Sequence, residues 1–215
     1  MADFTLARGT TAHAELEISR SRFLGYARRI DSEAAARAFF SEIRGEFPDA
    51  RHHCTALTVR AGVNPIERSS DDGEPSGTAG MPMLAALRGS GLIDTALVVV
   101  RYFGGIKLGT GGLVRAYTDA ALATLQAARV VELKAIPAWE LTVDAADAGR
   151  LHAGFEGHGI TVADVVYGSD PQRPGDALFT LTHPDEDAFA AQLAALTLGE
   201  GKPRRISDRI VEVTR

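Results

Sequence analysis

Cysteine, lysine and long apolar runs are all scarce in this chain of 215 residues. The one cysteine, Cys54, cannot form an internal disulfide and cannot hold a zinc ion alone, which fits a reducing compartment. No window approaches the roughly 18 apolar residues of a membrane span. The opening Met1-Ala2-Asp3-Phe4-Thr5 also lacks the basic start and apolar stretch of a secretion signal. A cytoplasmic protein with no membrane partner is the expectation. Arginine outnumbers lysine 20 to 3, so each lysine draws notice, and Lys107 lies in a glycine-rich stretch.

What is present is the composition of a globular chain: 45% hydrophobic and 24% charged residues, enough to bury a core. The length suggests two domains. Charge divides unevenly along it. Residues 1–134 hold 16 basic and 15 acidic side chains, a balance of +1, whereas the remainder holds 7 and 13, a balance of −6. Phosphate binding draws on clustered Lys and Arg, so any nucleic-acid contact is expected from the N-terminal part.

Periodicity supplies the organisation. Residues 12–30 alternate twice and read as a hairpin. Asp31 or Ser32 can cap a helix whose Ala36, Phe39, Phe40, Ile43 and Phe47 share a face. A strand follows over 52–60, then a polar loop, then a short helix over 81–88. The run Ala96-Leu-Val-Val-Val-Arg101-Tyr-Phe predicts a central buried strand. After the glycines comes a helix with Leu113, Tyr117, Ala120, Ala121, Thr124 and Leu125 on one face and Arg115 and Asp119 on the other. From Val130 the pattern restarts. Strands over 139–143, 160–167, 177–182 and 205–213, with helices over 145–158 and 185–198, give the βαββαβ order of a ferredoxin-like domain. The predicted fold class is α+β, with domains over 1–132 and 137–215.

Two stretches carry candidate chemistry. Arg68-Ser-Ser70-Asp71-Asp72-Gly-Glu74-Pro-Ser76-Gly-Thr78-Ala-Gly80 gathers three carboxylates and four hydroxyls on turn-forming backbone. Oxygen ligands of this kind suit Mg²⁺, although the spacing is not that of a calcium-binding EF-hand loop. The competing reading is a capped, solvated connection. The second stretch, Gly104-Gly105-Ile-Lys107-Leu-Gly109-Thr-Gly111-Gly112, lies between a strand and a helix, where backbone N–H groups can approach an anion. Neither the Walker nor the dinucleotide pattern fits: Thr110, not lysine, follows Gly109, and Val114 stands where a third glycine is needed. A tight turn with close helix-to-strand packing accounts for the glycines equally well.

His52 and His53 are neighbours on a strand and so face opposite ways, which argues against a shared metal ion. His53 is a candidate acid/base near the acidic loop. Cys54 reads as a buried thiol. Arg101, at the end of a buried strand, must find a carboxylate, a phosphate or water for its charge, and Asp71 or Asp72 is at hand as the carboxylate. No serine elbow, paired-carboxylate spacing or kinase set appears, so no named reaction is indicated.

The stretch from Arg68 to Met83, then Val98-Val-Val-Arg-Tyr-Phe-Gly-Gly-Ile-Lys-Leu-Gly-Thr-Gly-Gly-Leu-Val-Arg-Ala-Tyr117, with His53-Cys54 before them, resembles the signature of the YigZ/IMPACT family. The resemblance implies an N-terminal α/β domain of the ribosomal protein S-five second-domain type, then a ferredoxin-like domain. This pair is similar to the last two domains of elongation factor G. It also implies a setting in the regulation of translation, as for eukaryotic relatives that use an extra N-terminal domain. Thr55 and Ala56 stand where family members often carry an aromatic residue, so no base stacking is expected there.

Three functions are weighed. The first is a translation-associated protein holding RNA or ribosomal phosphate through Arg101, Lys107, Arg115 and the backbone of Gly104, Gly105, Gly109, Gly111 and Gly112. A second is an enzyme acting on a phosphorylated small molecule, with Asp71, Asp72 and Glu74 positioning Mg²⁺. The third is an adaptor that binds a protein partner through the acidic C-terminal domain.

Overall fold

The computed structural model describes residues 3–61, 64–168 and 172–214. It divides into two compact units, Met1–Leu133 with Glu212–Arg215, and Lys134–Val211. Two sheets with helices packed against them make the chain α+β. Among the described residues no helix is long and apolar enough to cross a membrane.

The first unit is built on an antiparallel sheet in the order β2-β3-β6-β4-β5, with β2 Thr11–Ile18, β3 Ser21–Arg29, β4 His52–Val59, β5 Ile66–Ser70 and β6 Thr95–Tyr102. The central strand β6 explains its own apolar run. Leu97 and Val99 point into one core, with helices α2 Gly80–Ser90 and α3 Gly109–Gln126, while Ala96, Val98 and Val100 point into a second core that includes Ala36, Phe39 and Ile43 of helix α1 Glu33–Glu46. Both faces are covered, so period-two alternation disappears from the sequence. Helix α1 starts as expected: the Ser32 hydroxyl accepts from Ala35 N at 3.1 Å.

Three features depart from expectation. A short strand, β1 Asp3–Leu6, pairs antiparallel with Val130–Leu133. β5 occupies part of the stretch read as loop, and its polar sequence Ile-Glu-Arg-Ser-Ser shows why an edge strand escaped hydrophobic patterning. The strand after α3 is one 15-residue element, β7 Val130–Asp144, that begins nine residues before the expected Trp139 and includes Pro137.

In the second unit, β7 from Ala138 to Asp144 pairs with β9 Asp176–Thr182, which pairs in turn with β8 Thr161–Tyr167, and β10 Arg204–Thr214 pairs with β7. Helices α4 Ala145–Gly157 and α5 Glu186–Leu196 complete the βαββαβ order, capped by Asp144 and Asp185. Trp139 stacks on Phe189 at 3.8 Å between centroids, inside a core that includes Phe155 and Phe179.

Candidate functional site

The end of β6 carries the site. Arg101 continues the series Leu97, Val99, Arg101 on the α2–α3 side of the sheet, between Phe23 of β3 and His52 of β4 in register. Its guanidinium lies over the Phe23 ring at 5.4 Å and is almost wholly buried. A buried charge needs a partner, and the partner is Glu74, not Asp71 or Asp72 as expected: Nη1 donates to Oε1 at 2.6 Å. The same oxygen accepts from the Tyr117 hydroxyl of α3 at 2.8 Å. Burial, with Cys54 and Glu74 beside it, pushes the Tyr117 hydroxyl well above its ordinary range, so it stays a donor. Arg101 Nη2 reaches Ser21 Oγ at 3.4 Å, while its Nε is buried with no partner.

Asp71 and Asp72 face inward for other reasons. Asp71 accepts from Gly77 N, Ala79 N and Gly80 N at 2.8 to 2.9 Å and so anchors the start of α2, whose N-cap residue Ala79 has no capping side chain. Asp72 accepts from His53 N at 2.6 Å and from Arg44 Nη2 at 2.8 Å. Burial works to raise both carboxyls, but these hydrogen bonds outweigh it and hold them below the usual carboxylate range. Ser70 ends β5 and accepts from Asp72 N, Thr78 is buried and donates to Pro75 O, and Ser76 is exposed. The three carboxylates thus serve three separate donor sets instead of converging on Mg²⁺. Among the described residues no three His, Cys, Asp or Glu side chains cluster to hold a metal ion.

His53 is buried and its Nε2 bonds Phe47 O at 3.0 Å. Burial lowers its pKa and favours the neutral ring, and the side chain is turned away from the cleft that His52 lines. Cys54 is buried in the same region with its Sγ 3.0 Å from Asp71 O, and burial pushes the thiol up to about 12.

Around Arg101 and Glu74 opens a cleft of about 630 Å³. Its cations are Arg51, Arg101 and Lys107, its carboxylates Asp49 and Glu74, and its apolar lining includes Pro75, Phe103, Leu108 and Leu113. Glycine spacing shapes the far wall. A Cβ on Gly104 would sit 2.0 Å from the Arg20 carbonyl, so only glycine lets the chain turn there against the β2–β3 hairpin. Gly105 and Gly109 take positive φ, 86° and 71°. The glycine loop is shorter than the sequence suggested: Gly109 opens α3, and Gly111 and Gly112 lie in its first turn. No side chain caps that turn, and Gly109 and Thr110 line the cleft. Lys107 is exposed in the cleft, whereas Arg115 sits on the exposed face of α3 outside its lining.

Pattern reasoning weighed His52 only as a metal ligand, placed Tyr117 only on an apolar helix face, and gave Arg51, Tyr102 and Phe103 no role. The pairing of His52 with Arg101 is the feature that would have found Arg51 and His52, and register between strands is invisible until topology is known.

Residues 19–125 match the Impact N-terminal domain family. A Thermus thermophilus relative described as an IMPACT family member in the pol 5' region is 42% identical over 135 residues, 63% of this chain and 72% of that protein. The chain belongs to the IMPACT family. Escherichia coli IMPACT family member YigZ is 55% identical over 102 residues, 47% of this chain, and the match spans only 50% of YigZ. A crystallised hypothetical protein shares the fold at a TM-score of 0.66 and 33% identity, over 97% of this chain and 100% of its own. The IMPACT match contains the cleft's polar core, with Glu74, Arg101, Lys107 and Tyr117 all inside residues 19–125.

Proposed function

We propose that this IMPACT protein binds RNA in the setting of translation, holding backbone phosphate in the cleft of its first unit. The supporting observation is that Arg51 and Lys107 stand exposed in the cleft with no ion-pair or hydrogen-bond partner among the described residues, beside the uncapped first turn of α3. Of the cleft's own carboxylates, Glu74 is paired with Arg101 and also accepts from Tyr117, while Asp49 accepts only from the neutral Tyr102 hydroxyl at 2.7 Å and keeps its charge, so the cleft carries one net positive charge. Unspent positive charge next to free amides is what a phosphate requires. Counted by unit, the first holds 16 basic and 16 acidic side chains, a balance of 0, against 7 and 12 in residues 134–211, a balance of −5, which favours the less acidic first unit.

The test is RNA binding by fluorescence anisotropy across a salt series. Binding is expected at low salt and should weaken as salt rises. Lys107→Ala and Arg51→Ala are each expected to reduce the magnitude of the log–log salt slope by about 0.7, the value of one phosphate contact on a single strand. No binding at low salt, or slopes unchanged in both variants, overturns the reading.

A further inference from the structure

Phe103 is 56% exposed although it directly follows the most buried strand in the chain. One exposed phenylalanine is ordinary on a protein surface. This one differs in its surroundings. It lines the cleft that also holds Arg51 and Lys107, and the Arg101 guanidinium lies 5.7 Å from its ring centroid. Glu74 accepts from that guanidinium at 2.6 Å, so the cation beside the ring is itself anchored. The exposed ring thus lines the cleft together with the unpaired Arg51 and Lys107.

Electrostatics in the cleft is modest. Two free cations contribute a salt slope of only about −1.4 on a single strand, far from the values of proteins that bind through many phosphates. A ligand held here needs a further, uncharged source of affinity. Stacking on an aromatic side chain is such a source, open to every base because each has a π-face. The volume of about 630 Å³ lies within the range of sites that enclose a ligand of nucleotide size.

We propose that Phe103 is a stacking platform for an unpaired base and that the cleft consequently selects single-stranded RNA over duplex. This rests on the RNA-binding reading above. In an A-form duplex the bases are stacked on one another and offer no face to a surface ring, so the duplex would engage only the cations.

Anisotropy with an unstructured RNA of roughly ten nucleotides, within the site sizes of single-strand binders, its duplex form, and a free mononucleotide as competitor tests the proposal. The wild type is expected to bind the single strand at least about tenfold more tightly than the duplex. Phe103→Ala and Phe103→Leu should each lose about tenfold or more on the single strand and little on the duplex, while Phe103→Trp retains binding. Tyr167→Ala, which removes a 62% exposed aromatic in the other unit, should bind as wild type. Since Phe103 is largely exposed, its variants are expected to melt as wild type, which circular dichroism checks. Equal affinity for duplex and single strand, or Phe103→Ala binding as wild type while Lys107→Ala weakens, overturns stacking and leaves RNA binding standing. Absence of all RNA binding overturns both. Mononucleotide binding that depends on Phe103, without binding of the oligomer, assigns the ring to a free nucleotide and overturns the selection of RNA.

Discussion

Arg101 donates to Glu74 at 2.6 Å with less than a tenth of either side chain exposed, joining the end of the central strand to the loop before α2. Removing one partner leaves the other charge buried and alone. Glu74→Ala and Arg101→Ala are each expected to lower unfolding free energy by about 3 to 5 kcal/mol. Removing both should lower it by clearly less than the sum, because the second change relieves the stranded charge. Urea denaturation of the two single variants and the double variant measures this.

Acid should weaken the fold in two stages. The folded pKa of His53 is depressed, chiefly by burial, so its contribution stands in full above about 6.5 and is lost as pH falls from there through the folded value. Asp71 and Asp72 are also depressed, and theirs stands above about 3.9 and is lost as pH falls through their folded values. His53→Gln is expected to flatten the first stage and Asp71→Asn the second, read from urea midpoints across pH.

Two glycines of one stretch should respond with opposite signs. A Cβ on Gly104 collides with the backbone of Arg20 and Ser21, so Gly104→Ala should destabilise and disturb the cleft wall. Gly111, in the first turn of α3, has nothing within 4 Å, so Gly111→Ala should stabilise by about 0.5 to 1 kcal/mol while keeping its amide. Thermal melts together with the RNA titration separate the two effects.

Cys54 should be inert. A buried thiol pushed up to about 12 has almost no thiolate at neutral pH. Ellman's reagent is expected to react with it only at the rate of unfolding, and fast modification of the folded protein would contradict this arrangement.

Much of the fold could be read in the chain because its cues are local. Ser32 before an apolar stripe marked α1, the β-branched run marked β6, and alternation marked the hairpin. Elements held mainly by pairing partners were not legible: β1 is four residues long, and β5 is polar throughout after Ile66. The site divides the same way. Lys107 and the glycines stood out by composition, whereas the choice of Glu74 over its neighbours as partner of Arg101 depends on a turn in which Asp72 takes a φ of 44° and Gly73 one of 86°. That turn aims three adjacent acids in different directions, and no periodicity encodes it. Phe103 was hidden because a phenylalanine after an apolar strand reads as more core.

The turn also governs how the molecule ages. Among aspartyl dipeptides Asp-Gly cyclises most readily to a succinimide, by attack of the following amide nitrogen on the carboxyl carbon with loss of water, and the ring can reopen as isoaspartate. Here both oxygens of Asp72 are tethered, one to His53 N and the other to Arg44, and the backbone is fixed by the bond between His52 and the Asp72 carbonyl. The folded chain withholds the carboxyl from Gly73. Isoaspartate at position 72, mapped by peptide mass spectrometry, would thus record how long a molecule has spent unfolded.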